Sequence, residues 1–383
     1  MNRPRATRLI FGAAALGLSG LTLSLVSPGC TTTTGNPTAT TTPAPTNTPN
    51  PTATPAATST PTLPPNPGDV YVGYVNGVYG TIVVNSAVNT IVATLPVVGE
   101  MALTPNGSRL YVAGGPLSAF DTLTNGLVAA IPPGSYGFVT AHPGGARIYG
   151  SNWGIGSLVV ADVLSNTVVA TVSVPNSIRR PVCTPNGSWV YVPSSNASGS
   201  VLVLNAATNA IVATVPVGSF GCYADVAPNG SFVYVGNWGS TDVSVIQTST
   251  QTVVATIPVS IPLVSIGVSP NGSFVYVGAY NALVRIDAAT NTVGASTGLG
   301  GVYFSFTPNG SYLYVAASSL TVLDVATTAI VATLPISVGP VAVLPPGSTV
   351  YAAGNDIYAI NTASNAIVAT IPVGGVPYTI AVR

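Results

Sequence analysis

The stretch "PVCTPNGSWVYVPSSNASGSVLVLNAATNAIVATVPV", Pro181 to Val217, holds one complete copy of the unit from which most of this chain is built. Four short runs rich in β-branched and aromatic residues (PVC, SWVYV, SVLVLN and NAIVATVPV) are separated by Gly, Asn, Ser and Thr. That pattern reads as four antiparallel strands joined by tight turns. The first boundary is TPNG. Asn-Gly predicts a type I′ hairpin, with positive φ at both central residues. The Pro ahead of it cannot donate a ladder hydrogen bond and so ends the incoming strand. The pentamer TPNGS recurs at Thr104 and Thr307, with APNGS at Ala227 and SPNGS at Ser269. A catalytic motif rarely needs five copies, whereas a turn in a repeated unit does.

Outward from this copy, two landmarks count the repeats. A tyrosine recurs at Tyr71, Tyr111, Tyr149, Tyr191, Tyr234, Tyr276, Tyr314 and Tyr351, and an IVAT-like tetrad starts at Ile91, Leu127, Val168, Ile211, Val253, Val293, Ile330 and Ile367. Successive spacings run from 36 to 43 residues. Six residues before each tetrad stands a short polar residue: Asn85, Asp121, Asp162, Asn205, Gln247, Asp287, Asp324 or Asn361. Four antiparallel strands repeated at this period predict an all-β chain folded as a β-propeller of eight four-stranded blades, with seven as the alternative. Pro follows the start of the tetrad by five residues in six units, from Pro96 to Pro372, which suits an exposed outer edge and no central strand. The fourth strand is therefore the rim, and the first lines the axis. The segment from Asp69 opens on a second strand, and PYTIAV (Pro377–Val382) is a first strand with nothing after it. Pairing these two is expected to close the ring.

The units "YVGNWGSTDVSVIQTSTQTVVATIPV" (Tyr234 to Val259) and "YGSNWGIGSLVVADVLSNTVVATVSV" (Tyr149 to Val174) resemble the YVTN-type β-propeller repeat of bacterial and archaeal surface proteins. The resemblance runs from Asp69 to Arg383. It implies an extracellular protein of the surface-layer or adhesion type and no single activity.

Composition agrees with that placement. The chain has 383 residues, 47% hydrophobic and only 5% charged, with 41 Gly and 34 Pro. All nine basic residues are Arg, and three of them (Arg3, Arg5 and Arg8) precede the apolar run Leu9 to Val26. Residues 1–29 read as a signal peptide or membrane anchor. A small residue before Cys30 resembles a bacterial lipoprotein cleavage site, which makes Cys30 the candidate lipid attachment; Ser27 and Pro28 depart from that pattern, so ordinary cleavage or anchoring remain alternatives. All three put the chain outside the cytoplasm: on a bacterial cell surface, secreted, or lipid-anchored. Residues 30–68 are mostly Thr and Pro, cannot offset their ordering entropy, and read as an extended stalk reaching on the order of 100 Å at ~3.1 Å per residue. Residues 69–383 form the propeller. Beyond the signal, six Arg face nine acids, a net charge near −3 with no basic patch, which excludes nucleic acid as a partner.

Few residues offer chemistry. The acids at the repeated position are expected to cap backbone amides. His142, the only histidine, replaces the Thr of the turn and brings no ligand set with it. Cys183 and Cys222 are out of register for a disulfide and read as free thiols. No metal and no cofactor is predicted. The loops entering first strands and those joining second to third strands share one face, where a propeller carries its site. There the chain places Trp153, Trp238 and Tyr280, four residues beyond their tyrosines, together with Arg179, Arg180, Tyr223, Asp225, Asp242 and Tyr303. These are the candidate ligand-binding residues, with aromatics as anchors and charges for orientation. The expectation is a monomeric binding or structural module that recognises a surface glycan, peptide or protein, and meets a membrane only through its N-terminus. The alternative is a propeller enzyme resembling a lactonase or lyase, for which Glu100, Asp225 and Asp242 would have to converge on a metal.

Overall fold

The computed structural model describes residues 68–75, 80–152, 156–174, 178–301, 303–345 and 347–383. The chain divides into two units at Pro64/Pro65, and every described residue lies in the second. The export segment, Cys30 and the Thr/Pro stretch are outside the described residues.

Among those residues there are 31 strands and no helix. They form six four-stranded antiparallel sheets and one of seven strands. The opening copy is one such sheet: Val182–Cys183, Trp189–Ser194, Ser200–Asn205 and Ile211–Pro216, in sequential order. The seven-stranded sheet departs from the expectation of separate blades. Leu127–Ala141 runs unbroken for 15 residues, pairing with Gly115–Asp121 through its first half and with Arg147–Asn152 through its second. Rim strand and next inner strand merge there, with a register shift at the join.

Burial explains the sequence pattern. The second and third strands are covered on both faces by neighbouring sheets, so they read as continuous apolar runs. Trp189–Ser194 and Ser200–Asn205 are buried along almost their whole length, whereas the rim strand Val168–Ser173 alternates. Core clusters bridge consecutive units: Tyr71 and Val83 pack with Met101, Leu110 and Phe120. All eight repeat tyrosines are buried. Several reach the next unit, where Tyr111, Tyr191 and Tyr314 donate to Asn166 Oδ1 (3.0 Å), Gln251 Oε1 (2.7 Å) and Asn365 Oδ1 (2.7 Å). Those acceptors sit at the one left-handed residue of each third-to-fourth turn, such as Asn166 at φ 54°. The acids at the repeated position cap that turn as expected. Asp162 Oδ1 accepts from the Leu164 and Ser165 amides, and the backbone and hydroxyl hydrogen bonds of Ser165 hold its carboxyl below the usual range.

The Pro-Asn-Gly turn is not type I′. Gly107 has φ 67° but Asn106 does not take a positive φ, and the Gly107 amide donates to the Thr104 carbonyl (2.7 Å). This is a type I turn over Pro105-Asn106, for which Pro presets φ, followed by a left-handed Gly. The Asn earns its place through its side chain: Asn106 Oδ1 accepts from Thr104 Oγ1 and the Ser108 amide. Thr104 Oγ1 in turn accepts from the Arg109 amide (3.0 Å). His142 substitutes in the same circuit, its Nδ1 accepting from the Gly144 amide while Nε2 donates to the Gly187 carbonyl of the next unit (2.8 Å). The lone histidine is thereby a turn residue.

At the seam, Val376–Val382 pairs antiparallel with Asp69–Val75, with Val70 opposite Val382 and Val72 opposite Ile380. Across the same junction Tyr351 donates to Asn89 Oδ1 (2.5 Å), and Arg383 faces the Asp69 carboxylate at 3.5 Å.

Candidate functional site

The innermost strand of each sheet has one free edge, and its backbone is completed by side chains from the neighbouring unit. Thr140 Oγ1 donates to the Pro181 carbonyl, Ser265 Oγ to the Gly301 carbonyl, and Asp225 Oδ2 accepts from the Val268 amide (2.8 Å). These contacts hold the inner strands side by side.

Along every inner strand one register varies without restraint. Four residues ahead of the turn residue stand Glu100, Phe138, Arg180, Tyr223, Ser265, Tyr303 and Pro340. Strand pairing supplies the eighth: Ala381 opposes Tyr71 as Ala102 opposes Tyr111, so Thr379 is the equivalent of Glu100. Where this register is paired, its partner is small, as with Ala113 opposite Glu100 and Gly278 opposite Ser265. The position that follows it is apolar in every unit, as with Met101, Ile266, Phe304 and Ile380. This variable register, repeated at the entry ends of the inner strands, marks one end of the axis.

A cavity of about 260 Å³ opens there, and six of the register residues line it: Glu100, Arg180, Ser265, Tyr303, Pro340 and Thr379. Tyr378 and the apolar Phe304 and Ile380 complete its wall. Arg180 Nη2 donates to Glu100 Oε2 at 2.6 Å, linking two different units. The guanidinium keeps about half of its side-chain surface exposed (49%), the carboxylate 22%. Burial pushes the Tyr303 and Tyr378 phenols up, and the nearby Glu100 carboxylate adds to both shifts. Burial likewise takes Tyr223 to about 12, with Cys222, Arg179, Tyr280 and Tyr303 all close enough to act on it.

The structure thus brings together Arg179, Arg180, Tyr223, Tyr280 and Tyr303. Tyr280 is exposed, at 56%. Asp225 lies one layer deeper on the inner strand, where burial raises its carboxyl to about 6 against the pull of the Val268 and Val226 amides and of Arg180. Trp238 stands apart. Its ring meets Phe220 edge-on at 6.1 Å and its amide donates to the Phe220 carbonyl, fixing the two loops of one unit to each other. Phe220 takes φ 52°, a left-handed conformation that is strained for a bulky residue. Asp242 accepts from Asn237 Nδ2 (2.6 Å) within its hairpin and takes no part in the cavity. Trp153 lies outside the described residues. Glu100, Asp225 and Asp242 do not converge: each has its own partner, and among the described residues no group of three or more His, Cys, Asp or Glu stands at metal-holding geometry. Cys183 and Cys222 are both free; Cys222 is buried with its sulfur 3.3 Å from Ser195 Oγ, and Cys183, half-buried, is pushed up to about 12 by burial. Tyr378 and Ser265 were not among the residues expected from the sequence. Aligning the inner strands on their turn residue exposes Ser265; Tyr378 needs the seam pairing.

Comparison with protein-family models finds no match, and no curated protein matches. Solved structures do match. A dihydro-heme d1 dehydrogenase, NirN, in complex with DHE superposes with a TM-score of 0.71 at 16% identity, covering 83% of this chain and 75% of that one. The hydrazine synthase of Kuenenia stuttgartiensis gives 0.56 at 18% identity, covering 72% and 95%. A functionally unknown protein from Desulfotomaculum acetoxidans DSM 771 gives 0.57 at 16% identity, covering 70% and 95%. Identities this low carry the fold alone, and that fold is the β-propeller.

Proposed function

We propose that this chain is an eight-bladed, YVTN-type propeller, closed by its seam strand pair and displayed outside the cell. Its N-terminal signal directs export, Cys30 is its lipid anchor, and the Thr/Pro stretch holds the ring away from the surface. In this reading it binds a glycan, peptide or protein non-covalently on the loop face. One observation carries the binding role: a variable register at the entry ends of the inner strands lines the cavity at one end of the axis, above a core that repeats from unit to unit. Fixed strands beneath a variable rim are how a scaffold carries recognition. Arg180 and Tyr280 are the accessible contacts, and hot spots favour these residue types. The test is a glycan and protein-partner screen with the full chain, repeated with Arg180→Gln and Tyr280→Ala. Retention of a partner is expected to be lost in both variants at unchanged melting temperature. Retention that ignores both variants would remove the loop face from the reading.

The enzyme alternative keeps one observation in its favour. Asp225, raised to about 6 beside the channel, has the proton affinity a general base needs. Its two carboxylate oxygens, however, already accept from Val226 and Val268, which supports a positioning role. Hydrolysis of lactone substrates that disappears in Asp225→Asn, with the fold intact, would favour catalysis.

A further inference from the structure

Resting on the reading of this mouth as a recognition surface, we infer that the axial cavity is a subsite for a single uncharged pyranose ring, the terminal sugar of a glycan. Three features of the lining point to that chemistry. The first is size. At about 260 Å³ the cavity falls just short of the ~300–1,000 Å³ typical of drug-sized ligands, so it admits one ring and no extended chain. The second is charge. The lining offers one cation and one anion, Arg180 and Glu100, already joined at 2.6 Å. An anionic ligand gains from Arg180 what it loses to Glu100, and must also break the pair. A neutral polyol can donate hydroxyls to the free lone pairs of Glu100 and accept from the exposed N–H groups of Arg180 while the pair stays intact. The third is the wall itself. The phenols of Tyr303 and Tyr378 adjoin the apolar surfaces of Phe304 and Ile380, matching a ring with hydroxyls at its edge and C–H bonds on its face.

The register supports the same conclusion. Glu100, Arg180 and Tyr303 occupy equivalent positions in three different units, so no structural demand of the repeat selects them. Elsewhere that register tolerates Ser265 and Pro340.

Methyl glycosides of glucose, galactose, mannose and N-acetylglucosamine, with methyl glucuronide as the charged counterpart, should be titrated into the full chain by calorimetry and ligand-observed NMR. At least one neutral glycoside is expected to bind with Kd on the order of 1 mM, and the glucuronide to bind no tighter than the neutral glucoside. Glu100→Gln and Tyr303→Phe should each weaken that binding by at least about tenfold, the loss expected for a hydrogen bond to a charged or phenolic group, at unchanged melting temperature. Binding of the glucuronide alone, neutral binding indifferent to both variants, or no glycoside binding at all would each overturn the inference. The separate partner screen distinguishes the two failures. If a protein partner is retained through Arg180 and Tyr280 while no glycoside binds, the recognition surface stands and the sugar subsite falls.

Discussion

Replacing single repeat tyrosines with phenylalanine tests whether the units are tied together by their buried hydroxyls. The structure provides the control within one protein. Tyr191, Tyr314 and Tyr351 donate to Gln251, Asn365 and Asn89 of the following unit at 2.7, 2.7 and 2.5 Å. Tyr149 occupies the equivalent place, equally buried, but neither its hydroxyl nor Asn209 Oδ1 has a hydrogen-bond partner. Phenylalanine keeps the ring and its apolar burial, so only the hydroxyl is tested. Removing it from Tyr191, Tyr314 or Tyr351 leaves a partly buried amide oxygen without its donor, at a cost of about 1 kcal/mol. Removing it from Tyr149 deletes a buried polar group without a partner, and should be neutral or slightly stabilising. Urea unfolding followed by circular dichroism reads the difference as a shift in midpoint at constant slope. For a domain of roughly 300 residues the melting temperature moves only about 1.5 °C per kcal/mol, so the denaturant midpoint is the better measure. The Tyr351 variant should lose as much as the Tyr191 variant, because the seam is held by the same bond as an internal junction. Equal destabilisation by Tyr149→Phe and Tyr191→Phe would refute the reasoning and assign the effect to ring packing.

Truncation before Val376 removes the strand paired with Asp69–Val75 and uncovers the backbone edge of that strand together with the apolar surface around Ile380. The melting temperature should fall by well over 10 °C, several kcal/mol at this size; an unchanged melting curve would show that the seam does not hold the domain. Alkaline pH should unfold the protein. Burial pushes the phenols of Tyr111, Tyr191, Tyr276, Tyr314 and Tyr351 up to about 12, so the folded state favours their neutral form. Their contribution is complete below about pH 10, the unfolded value, and is lost as pH rises towards 12. The share of tyrosinate absorbance that comes from these five phenols should therefore appear together with the loss of circular dichroism, not before it. Finally, the turn glycines are not equivalent. Gly187 and Gly272 both have positive φ, 70° and 72°, but a Cβ on Gly187 would stand 2.6 Å from the His142 ring, against 3.6 Å to Pro228 on Gly272. Gly272→Ala should cost about 1–2 kcal/mol for the left-handed conformation, and Gly187→Ala measurably more, read by the same urea titration.

The repeat was legible because each unit states its own strands. Turn residues, buried tyrosines and capping acids recur at fixed offsets, and each is dictated by local geometry within some forty residues. Even there, the Asn-Gly pair misled: the Pro ahead of it commits the turn to type I, and the Asn acts through its side chain. The merger along Leu127–Ala141 was hidden for a similar reason, since a loop's failure to break is a property of its neighbours. The site was only half legible. Arg179, Arg180, Tyr223, Tyr280 and Tyr303 were marked by being unlike their equivalents, whereas Trp238 and Asp242 were marked equally and proved to bind their own loops.

By itself, then, the sequence determined the strand order, the unit and its period, because hydrophobic alternation and turn chemistry act over a few residues. The tertiary structure alone decided which of the odd residues meet. Glu100 and Arg180 are 80 positions apart, and Tyr378 joins them from the far end of the chain, because inner strands from separate units converge where they surround the axis. Convergence of that kind is set by how sheets pack on sheets, a property that no single repeat encodes.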